Sequence, residues 1–181
     1  MQKVLLDACV LYPTVLREIL IGAAKAGLYR PLWSARLLEE WARAAARTGP
    51  ADEAIARGEI ALLRAAFPRA EVPPQPGIEA RLVLPDPNDI HVLAAAIAGS
   101  ADAILTFNAS DFPRGTLAGE GLERRDPDGF LWQLLSEHPA EMRAVVEAVR
   151  TEAERLSGEP QPIRPLMKRA RLPRFGKALA G

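Results

Sequence analysis

The sequence predicts an α/β fold in which a small, mainly parallel sheet is sandwiched by helices. Two observations carry this. Val4-Leu5-Leu6 and Ala103-Ile104-Leu105 are short unbroken apolar runs, the pattern of strands buried on both faces as in a parallel sheet. The stretches between them show helical periodicity rather than tight turns, so the strands must be joined by crossovers. A chain of 181 residues with 49% apolar and 25% charged residues suits one domain with a short appendage and can bury a full core.

The elements follow in order. After the first strand, Leu11, Val15, Ile19 and Leu16, Leu20, Ala24 recur at helical spacing until Gly27, with Pro13 in the first turn, where its missing N–H does no harm. Residues 28–33 read as a short extended link. Ser34 is a plausible N-cap for a helix to about Arg47 with Leu37, Leu38, Trp41, Ala44 and Ala45 on one face. Gly49-Pro50 breaks it, and a helix over about 51–66 follows. The three prolines between Glu71 and Pro76 predict a rigid loop ending near a short strand at Arg81–Leu84. Asp86 fits an N-cap and Pro87 the first position of a helix running to about Ala98. The second buried strand comes next, then a weaker edge strand near Gly121–Arg124, then helices over about 127–136 and 139–156.

Composition narrows the setting. A single cysteine, Cys9, excludes an internal disulfide and fits a reducing cytoplasm. Asp7 interrupts the N-terminal apolar run too early for a signal peptide, and the longest apolar run, Val92 to Ala101, is far short of a membrane span. The expectation is a soluble cytoplasmic protein with no membrane partner. Net charge is formally zero, yet residues 161–181 carry six basic residues and no acid. That leaves the rest of the chain acidic by about six charges.

The carboxylates carry the chemistry. Asp7 closes the first strand, and in open α/β sheets ligands collect at the carboxyl ends of strands. Alone it fits a turn or cap equally well. In the helix after Ser34 the apolar stripe centres near Trp41, so Glu39 faces solvent while Glu40 lies at the stripe's edge. Asp86 is explained as a cap. Asp89 shares a face with Leu93, Ala96 and Ile97 and points inward, the alternative being a capping box with Asp86. Asp111 follows the second buried strand, its alternative again a cap. His91 projects about 160° from the middle of its helix's apolar face and reads as a surface residue. If Asp7, Glu40, Asp89 and Asp111 converge, they repel one another, and a hard divalent cation removes the conflict. Oxygen-only ligation without Cys or His points to Mg²⁺ or Mn²⁺ rather than Zn²⁺. Such a site suits water activation and in-line attack on a phosphodiester.

Four stretches, in order and spacing, resemble the PIN domain family over roughly residues 1–125, whose best-known small bacterial members are the VapC-type toxin ribonucleases. They are Leu5-Leu6-Asp7-Ala8-Cys9-Val10-Leu11, Ser34 through Glu40-Trp41, Asp86 through Ala96, and Ile104-Leu105-Thr106-Phe107-Asn108 through Asp111-Phe112. The resemblance implies a Rossmann-like α/β/α sandwich, PIN-like with extra C-terminal helices. It also implies metal-dependent cleavage of single-stranded RNA, with the family's acids carried onto Asp7, Glu40 and Asp89. A co-encoded antitoxin protein is the partner it suggests. The chain departs from the family at Asn108, where many members have an aspartate, so Asp111 is the candidate for the fourth acid. Thr106 and Asn108 become candidate walls of the site.

Three segments are expected: a nuclease core over 1–125, a helical extension over 126–157 packed on it, and a basic proline-containing arm over 158–181. The extension can cover the core, form a homodimer or receive a partner. Arg169, Arg171 and Arg174 are candidates for holding RNA phosphates, a solvated tail being the plainer alternative. A haloacid-dehalogenase phosphatase would need a second aspartate where Cys9 stands, and a nucleotide-binding fold would need a glycine-rich loop after the first strand. The remaining rival is a catalytically weakened PIN-like module that binds RNA or protein, and Asn108 is its support.

Overall fold

The computed structural model describes all residues from Met1 to Gly181. Five parallel strands form one sheet: β1 (Lys3–Leu6), β2 (Arg30–Ser34), β3 (Glu71–Val72), β4 (Ala103–Leu105) and β5 (Glu123–Arg125), in the order β3-β2-β1-β4-β5. The chain moves outward from β1 to β3 on one side and from β4 to β5 on the other. The reversal between β1 and β4 is the switch point at which Rossmann-like sheets bind ligands. Val4, Leu5 and Leu6, and Ala103, Ile104 and Leu105, are all fully buried, as their unbroken apolar runs require. The fold is therefore the expected α/β class.

The helices are α1 (Ala8–Leu11), α2 (Thr14–Lys25), α3 (Ala35–Ala46), α4 (Pro50–Ala66), α5 (Pro76–Glu79), α6 (Ile90–Ala98), α7 (Arg114–Gly119), α8 (Pro127–Glu137), α9 (Pro139–Ser157), α10 (Ile163–Arg169) and α11 (Pro173–Ala180). The chain groups into two compact units. The first, residues 1–12 and 30–125, holds the whole sheet with α1 and α3 to α7. Its core joins Leu5, Leu32, Ile104, Val92, Leu93 and Phe112. The second, residues 13–29 and 126–181, is helical and contains α2 and α8 to α11. Within it α2 packs on α9, so closely that a Cβ on Gly22 would meet Val145 Cγ1 at 2.7 Å. Tyr29 sets its ring edge-on to Phe130 at 5.2 Å, and its hydroxyl donates to the Leu20 carbonyl.

Several expectations are corrected. Pro13, expected in the first turn of the helix, stands one residue ahead of it at the N-cap position of α2, and the single turn α1 precedes it as a separate element. No strand forms at Arg81–Leu84. The edge strand lies earlier, at Glu71–Val72, where two residues pair with Trp33 and Ser34 before Pro73 ends the ladder. The segment 158–181 is not an extended arm. It folds into α10 and α11, which bury Leu166, Met167, Leu172 and Phe175. A Cβ on Gly176 would lie 2.6 Å from Met167 Cβ, so glycine permits that packing. Asp128 accepts hydrogen bonds from the Arg174 and Phe175 amides at 3.0 and 2.8 Å, satisfying donors at the start of α11.

Candidate active site

Asp7 leaves β1 at its carboxyl end, and its amide donates to the Leu105 carbonyl across the switch point. Its side chain is almost fully buried. Oδ1 accepts from the Ala8 amide at 2.8 Å, capping the single turn of α1, and Oδ2 accepts from the Thr106 hydroxyl at 2.8 Å. Burial pushes the Asp7 pKa up, and the hydrogen bonds from Thr106, Cys9 and Ala8 offset this only in part, with the Glu40 charge adding to the rise. The Thr106 hydroxyl in turn accepts from the Asn108 amide at 3.0 Å. Cys9 Sγ lies 3.5 Å from Asp7 Oδ2 and accepts from the Phe107 amide. Burial, with Asp7 beside it, pushes this thiol up to about 11, so it is no nucleophile at neutral pH.

Ser34 caps α3 through the Leu37 amide, as its sequence position predicts, and this cap begins the helix that carries Glu40. Glu40 and Glu39 are equally half-exposed, and Glu39, expected to face solvent, is held by Arg43 of its own helix and Arg57 of α4. Glu40 Oε1 meets two groups, His91 Nε2 at 2.8 Å and the Arg36 guanidinium at 3.5 Å. His91 is 6% exposed, so its reading as a surface residue is wrong. The reason is that α6 is buried at every position from His91 to Ala96, and a helix with no solvent side gives an angular projection nothing to measure. His91 Nδ1 is buried without a partner.

Asp86 caps the 3₁₀ turn Pro87–Asp89 by accepting from the Asn88 amide, and the Asp89 side chain caps nothing. The capping-box alternative for Asp89 is thereby excluded. Its carboxyl is pushed up to about 6, first by burial and then by the charges of Asp111, Asp7 and Asp86, with His91 opposing. Asp111 ends a second 3₁₀ turn, Ala109–Asp111, which Arg124 clamps by donating to the Ala109 and Phe112 carbonyls at 2.6 and 3.1 Å. Sequence reasoning missed Arg124 as well as His91. Its only signal was an arginine on an edge strand, which by itself says nothing of the loop it holds. Asn108 is exposed, and its side chain makes no cap.

The structure thus brings Asp7, Glu40, Asp89 and Asp111 within electrostatic range at one end of the sheet. No three or more His, Cys, Asp or Glu side chains are arranged so that they could hold a metal ion as they stand. The chemistry of the donors still suits a hard divalent cation, because they are oxygen-only and neighbouring carboxylate charges add to burial in raising Asp7 and Asp89, a conflict such an ion relieves. The basic candidates lie in the helical unit. Arg169 donates to Gln161, Arg171 occupies the turn between α10 and α11 in a left-handed conformation, and the Arg174 guanidinium stacks 3.8 Å from the centre of the Trp132 ring.

An acidic cluster at the switch point of a five-stranded parallel sheet is an arrangement suited to binding a cationic ligand. The family model for the PIN domain matches residues 3–110, more than half of the chain, and the protein belongs to that family. PIN domains are generally nucleases and typically use divalent metals. Comparison with curated proteins and with solved structures finds no match.

Proposed function

We propose that this protein is an endoribonuclease that hydrolyses phosphodiester bonds of single-stranded RNA with Mg²⁺ or Mn²⁺. The observation that carries the reading is the placement of Asp7, Asp89 and Asp111, from three separate segments of a PIN domain, within electrostatic reach of one another. Three carboxylates from separate segments sense one another at the place where this fold binds ligands. Asp7 and Asp89, with Glu40 and Asp111, would hold the ion. When bound, it would supply charge neutralisation at the phosphate and a more acidic water. Thr106 fixes the orientation of Asp7, and His91 fixes that of Glu40. In the reaction a water oxygen bonds to phosphorus, the bond from phosphorus to one bridging oxygen breaks, and the water's proton ends on the leaving oxygen. The resemblance to small toxin ribonucleases supports a role as the toxin of a pair, with a co-encoded antitoxin as partner. A cytoplasmic location accords with the single unpaired cysteine and with the absence of any helix long and apolar enough to cross a membrane.

The test is cleavage of single-stranded RNA by purified protein. Activity should require Mg²⁺ or Mn²⁺, stop with EDTA and vanish in Asp7→Asn and Asp89→Asn. Unchanged activity in both variants would sink the assignment. RNA or protein binding without any cleavage by the wild type would favour a binding module, the reading to which Asn108 lends weight. Slowed growth on expression, reversed by the neighbouring gene product, would test the toxin role.

A further inference from the structure

At the opposite, amino end of the sheet lies a groove of about 580 Å³, wholly within the sheet-bearing unit. Its walls include Lys3 at the start of β1, Arg30 at the start of β2, Phe67 and Arg69 from the turn before β3, and Gly99 at the end of α6. Lys3 and Arg30 are register partners on adjacent strands, so the two cations stand side by side on one edge. Like charges so placed repel, and the nearby Asp102 carboxylate is engaged by the Lys3 backbone amide at 2.8 Å, not by either side chain. Arg30 and Arg69 have no carboxylate partner, and Lys3 Nζ reaches only the Gly99 carbonyl, at 3.5 Å. The groove's one acid, Glu71, is already held by the fork of Arg64 at 2.8 and 3.0 Å. Most other arginines of this unit are compensated: Arg36, Arg43, Arg57, Arg64 and Arg81 all pair with glutamates. Three uncompensated cations converging on one concavity are what a phosphoryl group requires.

The rest of the lining describes the remainder of the ligand. The volume exceeds what a phosphate alone fills and lies in the range of small-molecule sites. One wall is apolar and stiff: Phe67 is held edge-on against the buried Trp33 at 5.9 Å, beside Leu32, Val72 and Pro31. A fixed aromatic ring near a cationic cluster is the arrangement that takes a nucleobase and its phosphate together. Gly99 lets the end of α6 pack closely on this wall, since a Cβ there would meet Leu32 Cδ1 at 2.8 Å.

We propose that the groove lined by Lys3, Arg30, Arg69 and Phe67 binds a phosphorylated nucleoside, either free or as the phosphorylated end of an RNA strand. The site is separate from the acidic cluster and needs neither its metal nor its chemistry. Calorimetric titrations of the full chain in EDTA, where no cleavage occurs, should use UMP, uridine, inorganic phosphate, and one short RNA carrying either a 5′-phosphate or a 5′-hydroxyl. UMP should bind at least about tenfold tighter than uridine or inorganic phosphate, and Arg30→Ala with Arg69→Ala should remove that margin. Preference for the 5′-phosphorylated strand over UMP identifies an RNA end as the source, and the reverse order identifies a free nucleotide. Asp7→Asn should leave binding unchanged. The proposal is overturned if neither UMP nor the 5′-phosphorylated strand outdoes its unphosphorylated counterpart. It is likewise overturned if the arginine variants bind like wild type, or if inorganic phosphate binds as tightly as UMP. Because the titration involves no turnover, failure of the nuclease reading leaves its outcome intact.

Discussion

Replacing Thr106 by valine removes one hydroxyl from a buried residue while keeping its shape, and so isolates what that group does for Asp7. The hydroxyl donates to Asp7 Oδ2 at 2.8 Å and accepts from the Asn108 amide at 3.0 Å. Asn108 is exposed, so its amide can turn to water, whereas the buried carboxylate has no ready substitute donor. A hydrogen bond to a charged group contributes about 1.5–3 kcal/mol, and losing it moves the Asp7 pKa further up. Asp7 already titrates above its ordinary value because burial outweighs its hydrogen bonds. Its ionised form is therefore a burden on the folded state that is present at neutral pH and fades as pH falls through the folded pKa. Thr106→Val enlarges that burden. In EDTA the variant should lose about 1.5–3 kcal/mol at pH 7 by urea denaturation, and the loss should shrink as the solution is acidified. Carboxyl carbon NMR should show Asp7 titrating higher than in wild type. A stability loss that is flat with pH, or an Asp7 pKa that does not move, would refute the reasoning.

Two further outcomes follow from the same cluster. His91→Leu frees Glu40 from its 2.8 Å partner without leaving a buried polar atom, so RNA cleavage should fall roughly 10- to 100-fold at an unchanged melting temperature, and His91→Gln should recover much of it. Asp89 titrates near 6 in part because of Asp111, so the metal-free protein should gain thermal stability as pH falls from 7 toward 5. Asp111→Asn should flatten that gain and lower the Asp89 pKa in NMR titrations.

How much of the site was legible varies with how local each residue's role is. Ser34 reads correctly as a cap because capping is settled within one turn, by its bond to the Leu37 amide. Glu39 and Glu40 do not separate by exposure, at 40% and 39%; they separate by partner, because Glu39 is held by Arg57 of α4 and Glu40 meets His91 of α6, and a helix's own period does not show which neighbour packs on it. His91 fails the same test because α6 is buried on all sides through its middle. The short strand at Glu71–Val72 was hidden by the prolines after it, since two paired residues carry no period to detect. The helices of 158–181 were hidden by charge: α10 and α11 bury few residues each, and six basic residues, five on the helices and Arg171 in the turn between them, dominate the composition.

By itself the sequence determined the two buried strands, the helices between them and the acid that ends β1, because unbroken apolar runs and 3.6-residue periods are local properties. Only the tertiary structure decided the strand order that puts the switch point between β1 and β4, and with it the meeting of Asp7 with Thr106, 99 positions away. It likewise decided that α2 joins the C-terminal helices in one unit, that His91 faces Glu40 and that Arg124 clamps the turn before Phe112. The physical reason is the same in each case. Burial and hydrogen-bond partnership belong to a residue's neighbours in space, and its own segment of chain does not contain them.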